Sequence, residues 1–108
     1  MIRIVKEVLV KSLDHNDGFM HRVRMVPGTA SYSVKTTVKD NGTLEERTVE
    51  FVIPAYVRVL RGNLVITVCF DDGKRCVLGT KDLPARFEFK EDGAIKATCK
   101  WQTVAPSL

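Results

Sequence analysis

The chain has 108 residues, about the length of one small domain. With 44% hydrophobic and 28% charged residues it lies near the globular average, which excludes a disordered polyelectrolyte, a collagen-like repeat and a disulfide-dense miniprotein. Seventeen Lys and Arg against thirteen Asp and Glu give +4 and a pI near 9.1, while apolar runs such as Val8-Leu9-Val10 fall far short of the roughly 20 residues of a membrane-spanning helix.

From the amino end, residues 2–11 read as a long strand and residues 19–26 as another. They are joined through Asp14-His15-Asn16-Asp17-Gly18, and Val26-Pro27-Gly28-Thr29 makes a loop. Residues 31–53 form the clearest hairpin, because Asn41-Gly42 at the centre of a two-residue loop suits the positive φ angles of a type I′ turn. With that loop, Tyr32 is expected opposite Phe51 and Val34 opposite Val49 on the buried face, and Ser33, Lys35 and Thr37 opposite Glu50, Thr48 and Glu46 on the polar face.

Pro54 and Pro84 are placed at strand ends, since proline cannot donate to a ladder. Residues 63–70 and 74–79 flank Asp71-Asp72-Gly73 as a further hairpin. A two-residue loop sets Cys69 against Cys76, whereas a three-residue loop sets Val68 against Cys76 and Ile66 against Leu78, and the pattern leaves both open. Both faces of residues 64–70 carry apolar side chains, so this strand is expected to be central and covered on both sides. The last hairpin, residues 85–101, turns at Glu91-Asp92-Gly93. A three-residue loop with Gly93 in the left-handed region pairs Phe89 with Ile95, Phe87 with Ala97 and Glu88 with Lys96, matching apolar with apolar and charge with opposite charge. No helix is expected, and the whole reads as a single all-β domain, residues 1–108: one small antiparallel β-sandwich or barrel built from hairpins.

No residue constellation marks a catalytic, cofactor or metal site. The acidic loop at residues 14–18 has its glycine fifth rather than sixth, and no bidentate Glu follows at the twelfth position, so it is read as a turn and not as a calcium loop. His15 and His21 sit in no nucleophile elbow, zinc-binding helix or phosphate loop, so an enzyme is not expected. Cys69, Cys76 and Cys99 are odd in number and lack Cys-x-x-Cys spacing, and they are expected to be free thiols in a reducing cytoplasm. Basic residues are interspersed with Glu45-Glu46, Asp71-Asp72 and Glu91-Asp92, so nucleic-acid binding by a small basic barrel is the second functional reading rather than the first. Phe87 and Phe89 alternate with Arg86, Glu88 and Lys90 as a base-stacking sheet would have them, but as core residues of the last hairpin they need no such role.

The run from Leu64 to Thr80, with Asp71-Asp72-Gly73 between two strands and Leu78-Gly79-Thr80 at its end, continues into Leu83-Pro84-Ala85-Arg86-Phe87. It resembles small prophage-encoded proteins of gut bacteria, and Ala30-Ser31-Tyr32-Ser33 and Glu50-Phe51-Val52-Ile53-Pro54 resemble the hairpin that precedes it there. The resemblance covers about two thirds of the chain and fits the first thirty residues less well. It implies an all-β component of phage head-to-tail or tail assembly, with subunit contacts and no catalysis. The leading expectation is therefore a structural module that forms a homo-oligomer and meets other phage structural proteins, cytoplasmic or in the virion, with Asp40, Asn41 and Gly42 at a partner-facing hairpin tip.

Overall fold

Alternation of β-branched and aromatic residues with polar ones dictates strands, and strands are what the chain forms. The computed structural model describes residues 3–14, 19–40 and 42–105. Its strands are β1 (Arg3–Ser12), β2 (His21–Arg22), β3 (Ser31–Lys39), β4 (Gly42–Ile53), β5 (Leu64–Phe70), β6 (Arg75–Leu78), β7 (Glu88–Glu91) and β8 (Ile95–Ala105), with one 3-10 turn at Arg58–Leu60. They make a single eight-stranded sheet in the order β6-β5-β1-β3-β4-β8-β7, with β2 added beside β1, and every strand pairing is antiparallel. The all-β expectation holds.

The sheet is curled so that its two ends face one another, and β1 is the strand that makes this possible. Residues 7–12 pair with β5, the register slips by one residue between Val5 and Glu7, and Arg3 and Ile4 then pair with β3. A bulge of this kind bends a strand and sharpens its twist, which lets one strand serve both halves. Val5 and Val8, odd and even in number, consequently both point inward. The core lies between the halves: Val8, Val10, Leu64, Ile66, Val68 and Phe70 from one, Tyr32, Val49, Phe51, Ile53, Ala97 and Cys99 from the other. Tyr32 meets Phe70 edge-on at 5.1 Å and Phe51 meets Phe87 at 5.3 Å, arrangements that aromatic quadrupoles favour. A reciprocal pair of backbone hydrogen bonds between Leu64 and Ala85, both 2.9 Å, ties the free side of β5 to the segment that leads into β7. The fold is thus one curled sheet, intermediate between a sandwich and a closed barrel.

Three expected registers meet different outcomes. In the 71–73 hairpin the three-residue alternative is the one adopted, with Ile66 opposite Leu78, Val68 opposite Cys76, and Cys69 opposite Arg75 instead of Cys76. In the first hairpin Tyr32 lies opposite Val49 and Val34 opposite Arg47, two residues from the expected pairing, and Gly42, expected in the loop, is instead the first ladder residue of β4, opposite Lys39. A slip of two preserves which face each residue occupies. The adopted register sets Lys35 opposite Glu46, an opposite-charge pair that the expected one lacked. In the last hairpin the three-residue loop is Asp92-Gly93-Ala94, with Gly93 at φ 72°, but Phe89 faces Ala97 and Glu91 faces Ile95, again two residues from expectation. The Glu88–Lys96 attraction that favoured the other register is not needed, because Lys96 finds Glu50 of β4 at 3.0 Å.

Two further expectations are corrected. Within residues 19–26 only His21 and Arg22 make a ladder; beyond them Val23 donates to Val8 and Val26 to Val52, single hydrogen bonds that carry the chain from one half of the sheet to the other. And β5 is second from the edge of the sheet rather than central, although Thr67 and Cys69 on its outer face are only 7% exposed.

Candidate functional site

Strand order creates the feature that bears on function. β4 is paired along its length, with β3 on one side and with β8 over residues 43–53 on the other. Its neighbours are covered only at their bases. On its far side β3 pairs with β1 through Ser31 and Tyr32, and β8 pairs with β7 through residues 95–98. Among the described residues, positions 33–39 of β3 and 99–105 of β8 therefore have no ladder partner on their outward side. These seven-residue stretches, each roughly 23 Å long at strand geometry, flank β4 in a three-stranded arm with two open edges. The arm contributes to a molecule of 43 × 31 × 29 Å.

The base of the arm is fixed by a polar cluster that continues the core face outward. Arg47 Nε donates to Glu45 Oε1 at 2.6 Å, and Arg47 Nη1 donates to the Val77 carbonyl at 3.0 Å and to Cys76 Sγ at 3.4 Å. The Tyr32 hydroxyl lies 3.0 Å from the same sulfur. The Arg47 guanidinium sits 5.8 Å from the Trp101 ring centre, and Trp101 Nε1 donates to the Leu83 carbonyl at 3.0 Å. Burial pushes the Tyr32 phenol well above its ordinary value, and its contact with Cys76 adds to that rise. Burial disfavours the Arg47 charge, but the Glu45 hydrogen bond leads the contributions that outweigh it, and the guanidinium pKa is raised. The cluster clamps β3, β4 and β8 against β6 and the loop after it. The outer face is stitched separately, by Gln102 to Glu46 at 2.6 Å.

Beyond this clamp the arm is open. Val34 is 39% and Val38 80% exposed, both on the face that is apolar at its base, with Thr36 exposed between them. Of the three residues expected at a partner-facing tip, Asp40 is exposed in the turn, Gly42 is instead part of the β4 ladder opposite Lys39, and Asn41 lies outside the described residues. The end of the arm is legible in turn residues, whereas its edges are not.

Elsewhere the chemistry is sparse. An open cleft between the start of β1 and residues 22–30 carries Lys6, Arg22 and Arg24, but Arg22 is paired with Glu7 at 3.3 Å. His21 lies in the short β2 ladder opposite Val10, and His15 lies outside the described residues, as do Asn16, Asp17 and Gly18 of the acidic loop. Asp14 accepts hydrogen bonds from the backbone and side-chain amides of Asn63 at 2.9 and 3.1 Å, a loop-to-loop tie. All three cysteines are free thiols; burial pushes Cys99 up to about 11. Among the described residues no three His, Cys, Asp or Glu side chains gather where a metal ion could be held, and no helix is long and apolar enough to cross a membrane. No family model, curated protein or solved structure matches the chain.

Proposed function

We propose that the protein is a non-catalytic assembly module that associates with further copies of itself through the open edges of its arm. The observation that carries this reading is the length of edge that, among the described residues, has no ladder partner: seven residues on each side of one three-stranded sheet. An edge strand presents a row of unpaired amide and carbonyl groups, and adding a strand to it gains hydrogen bonds and side-chain contacts together. Lys35 and Lys100 guard these edges by charge without shortening them or bending them away. The resemblance to small prophage-encoded proteins supplies one setting for such a module, the head-to-tail or tail assembly of a phage, where it would meet other structural proteins as well as its own copies.

Light scattering on the eluting protein, loaded from about 10 µM to about 1 mM, tests the reading over the range where weak strand pairing is populated. The expected result is a weight-average mass rising above the 12.1 kDa of one chain. A mass that stays at one chain throughout overturns it.

A further inference from the structure

The two open edges are not equivalent, and the sequence of one of them is complementary to itself. We infer that β3 pairs with β3 of a second copy, antiparallel, about a two-fold axis through Thr36; the inference rests on the self-association proposed above and names the edge, the partner and the register. A two-fold axis perpendicular to the sheet makes the contact isologous, so each residue and its partner exchange roles, and it keeps the same face of both sheets on the same side. Paired residues must then have the same parity.

Only a few registers satisfy this, and charge separates them. Centring on Thr36 places Val34 opposite Val38 of the second copy and Val38 opposite its Val34, Thr36 opposite Thr36, Lys35 opposite Thr37, and Lys39 opposite Ser33. All seven edge residues find partners, the two exposed valines cover each other, and no lysine faces a lysine. Centring on Lys35 sets that lysine against itself, and centring on Thr37 sets Lys35 against Lys39 twice. Like charges directly opposite one another destabilise a cross-strand pair, while β-branched pairs stabilise it. In the single chain Val38 is 80% exposed, a large apolar side chain that such a pairing would cover. The β8 edge shows no such symmetry: Trp101 is already held at the base by Leu83 and Arg47.

The contact joins two three-stranded arms into one six-stranded sheet. Seven residue pairs form a small interface, so the dimer is expected to be concentration-dependent, at the weak end of specific association.

Disulfide trapping reads the register. Residues directly opposite in an antiparallel pair have Cα atoms about 4.5–5.5 Å apart, within disulfide reach, whereas Val34 of one copy and Val34 of the other lie four residues apart along the strand, about 13 Å. Under mild oxidation Thr36→Cys is expected to form a covalent dimer. Val34→Cys and Val38→Cys are expected to cross-link when mixed and not when each is alone, and Thr103→Cys on the β8 edge and the unsubstituted protein are expected to stay uncross-linked. Val38→Lys, at an exposed position that costs the core nothing, is expected to raise the dimer dissociation constant at least about tenfold, because it adds a cation to an edge that already carries Lys35 and Lys39. If the mass rises with concentration but Thr36→Cys does not cross-link, or Thr103→Cys does so instead, the β3 two-fold is overturned while self-association stands. If the mass never rises, both are overturned.

Discussion

Replacing Gly79 with alanine should break the closure of the sheet, and a matched substitution separates that effect from backbone strain. Gly79 and Gly73 have similar positive φ angles, 94° and 85°, so adding a Cβ carries a left-handed cost at both, about 1–2 kcal/mol. Their surroundings differ. At Gly73 a Cβ meets nothing within 4 Å, whereas at Gly79 it would stand 2.6 Å from the Leu64 carbonyl oxygen and 2.8 Å from the Ala85 nitrogen. Those are the atoms that join Leu64 to Ala85 in the reciprocal bridge. Both neighbours are backbone in buried residues, so relief requires the bridge to open, and each hydrogen bond lost there costs about 1–3 kcal/mol when its partner is left buried. Gly79→Ala is therefore expected to lose roughly 3–8 kcal/mol of unfolding free energy, the backbone cost plus both hydrogen bonds of the bridge, and Gly73→Ala about 1–2 kcal/mol. Urea unfolding of the two variants beside the parent protein measures both. Equal losses within about 0.5 kcal/mol, the usual size of a surface effect, would refute the claim that the Leu64–Ala85 bridge holds the sheet closed.

Phe51→Ala should cost about 3–5 kcal/mol, because the ring is fully buried and lies edge-on to Phe87; a loss below about 1 kcal/mol in the same urea assay would mean that this end of the core is loosely packed. Lys96→Ala should change stability by no more than about 1 kcal/mol, since the Lys96–Glu50 pair is 49% and 36% exposed. Stability should fall as pH rises above about 9. Cys99 ionises near 9.0 when unfolded but is pushed up to about 11 by burial, so the unfolded chain releases its proton first, and roughly 2–3 kcal/mol is lost between those values. Tyr32, also raised by burial, adds to the decline only from about pH 10, where an unfolded tyrosine begins to ionise. Unfolding curves of Cys99→Ala across pH 8–11 should then lack the part of the slope below about pH 10.

The faces of the strands were legible and their offsets were not. Alternation put Tyr32, Val34, Val49 and Phe51 on the buried side; Tyr32, Val49 and Phe51 are buried, whereas Val34 shares their face but is 39% exposed because the arm extends past the core, and a slip of two residues leaves the alternation itself unchanged. What fixes the offset is remote in sequence. β8 pairs with β4 over eleven positions, Tyr32 must meet Phe70 and Cys76, and Lys96 is satisfied by Glu50. Local pair preferences of a few tenths of a kcal/mol do not compete with such constraints. The 71–73 hairpin, whose two loop lengths shift the strands by one residue rather than two, came out with the alternative that sets Ile66 against Leu78, one buried residue against another. The same distinction governs the site. Asp40 at an exposed turn could be read from turn chemistry, whereas the open edges of β3 and β8 depend on β1 and β7 covering only their bases, a consequence of strand order that no local pattern encodes.

Amide hydrogen exchange along residues 33–39 reads directly whether the β3 edge takes up a second strand. In an antiparallel edge strand alternate amides face away from the existing partner, so about three or four of these seven have no ladder partner among the described residues. These amides are expected to exchange quickly in dilute protein and to become protected as concentration rises from about 10 µM to about 1 mM, while the amides facing β4 stay protected throughout. Exchange at these positions that is independent of concentration would contradict strand addition at this edge.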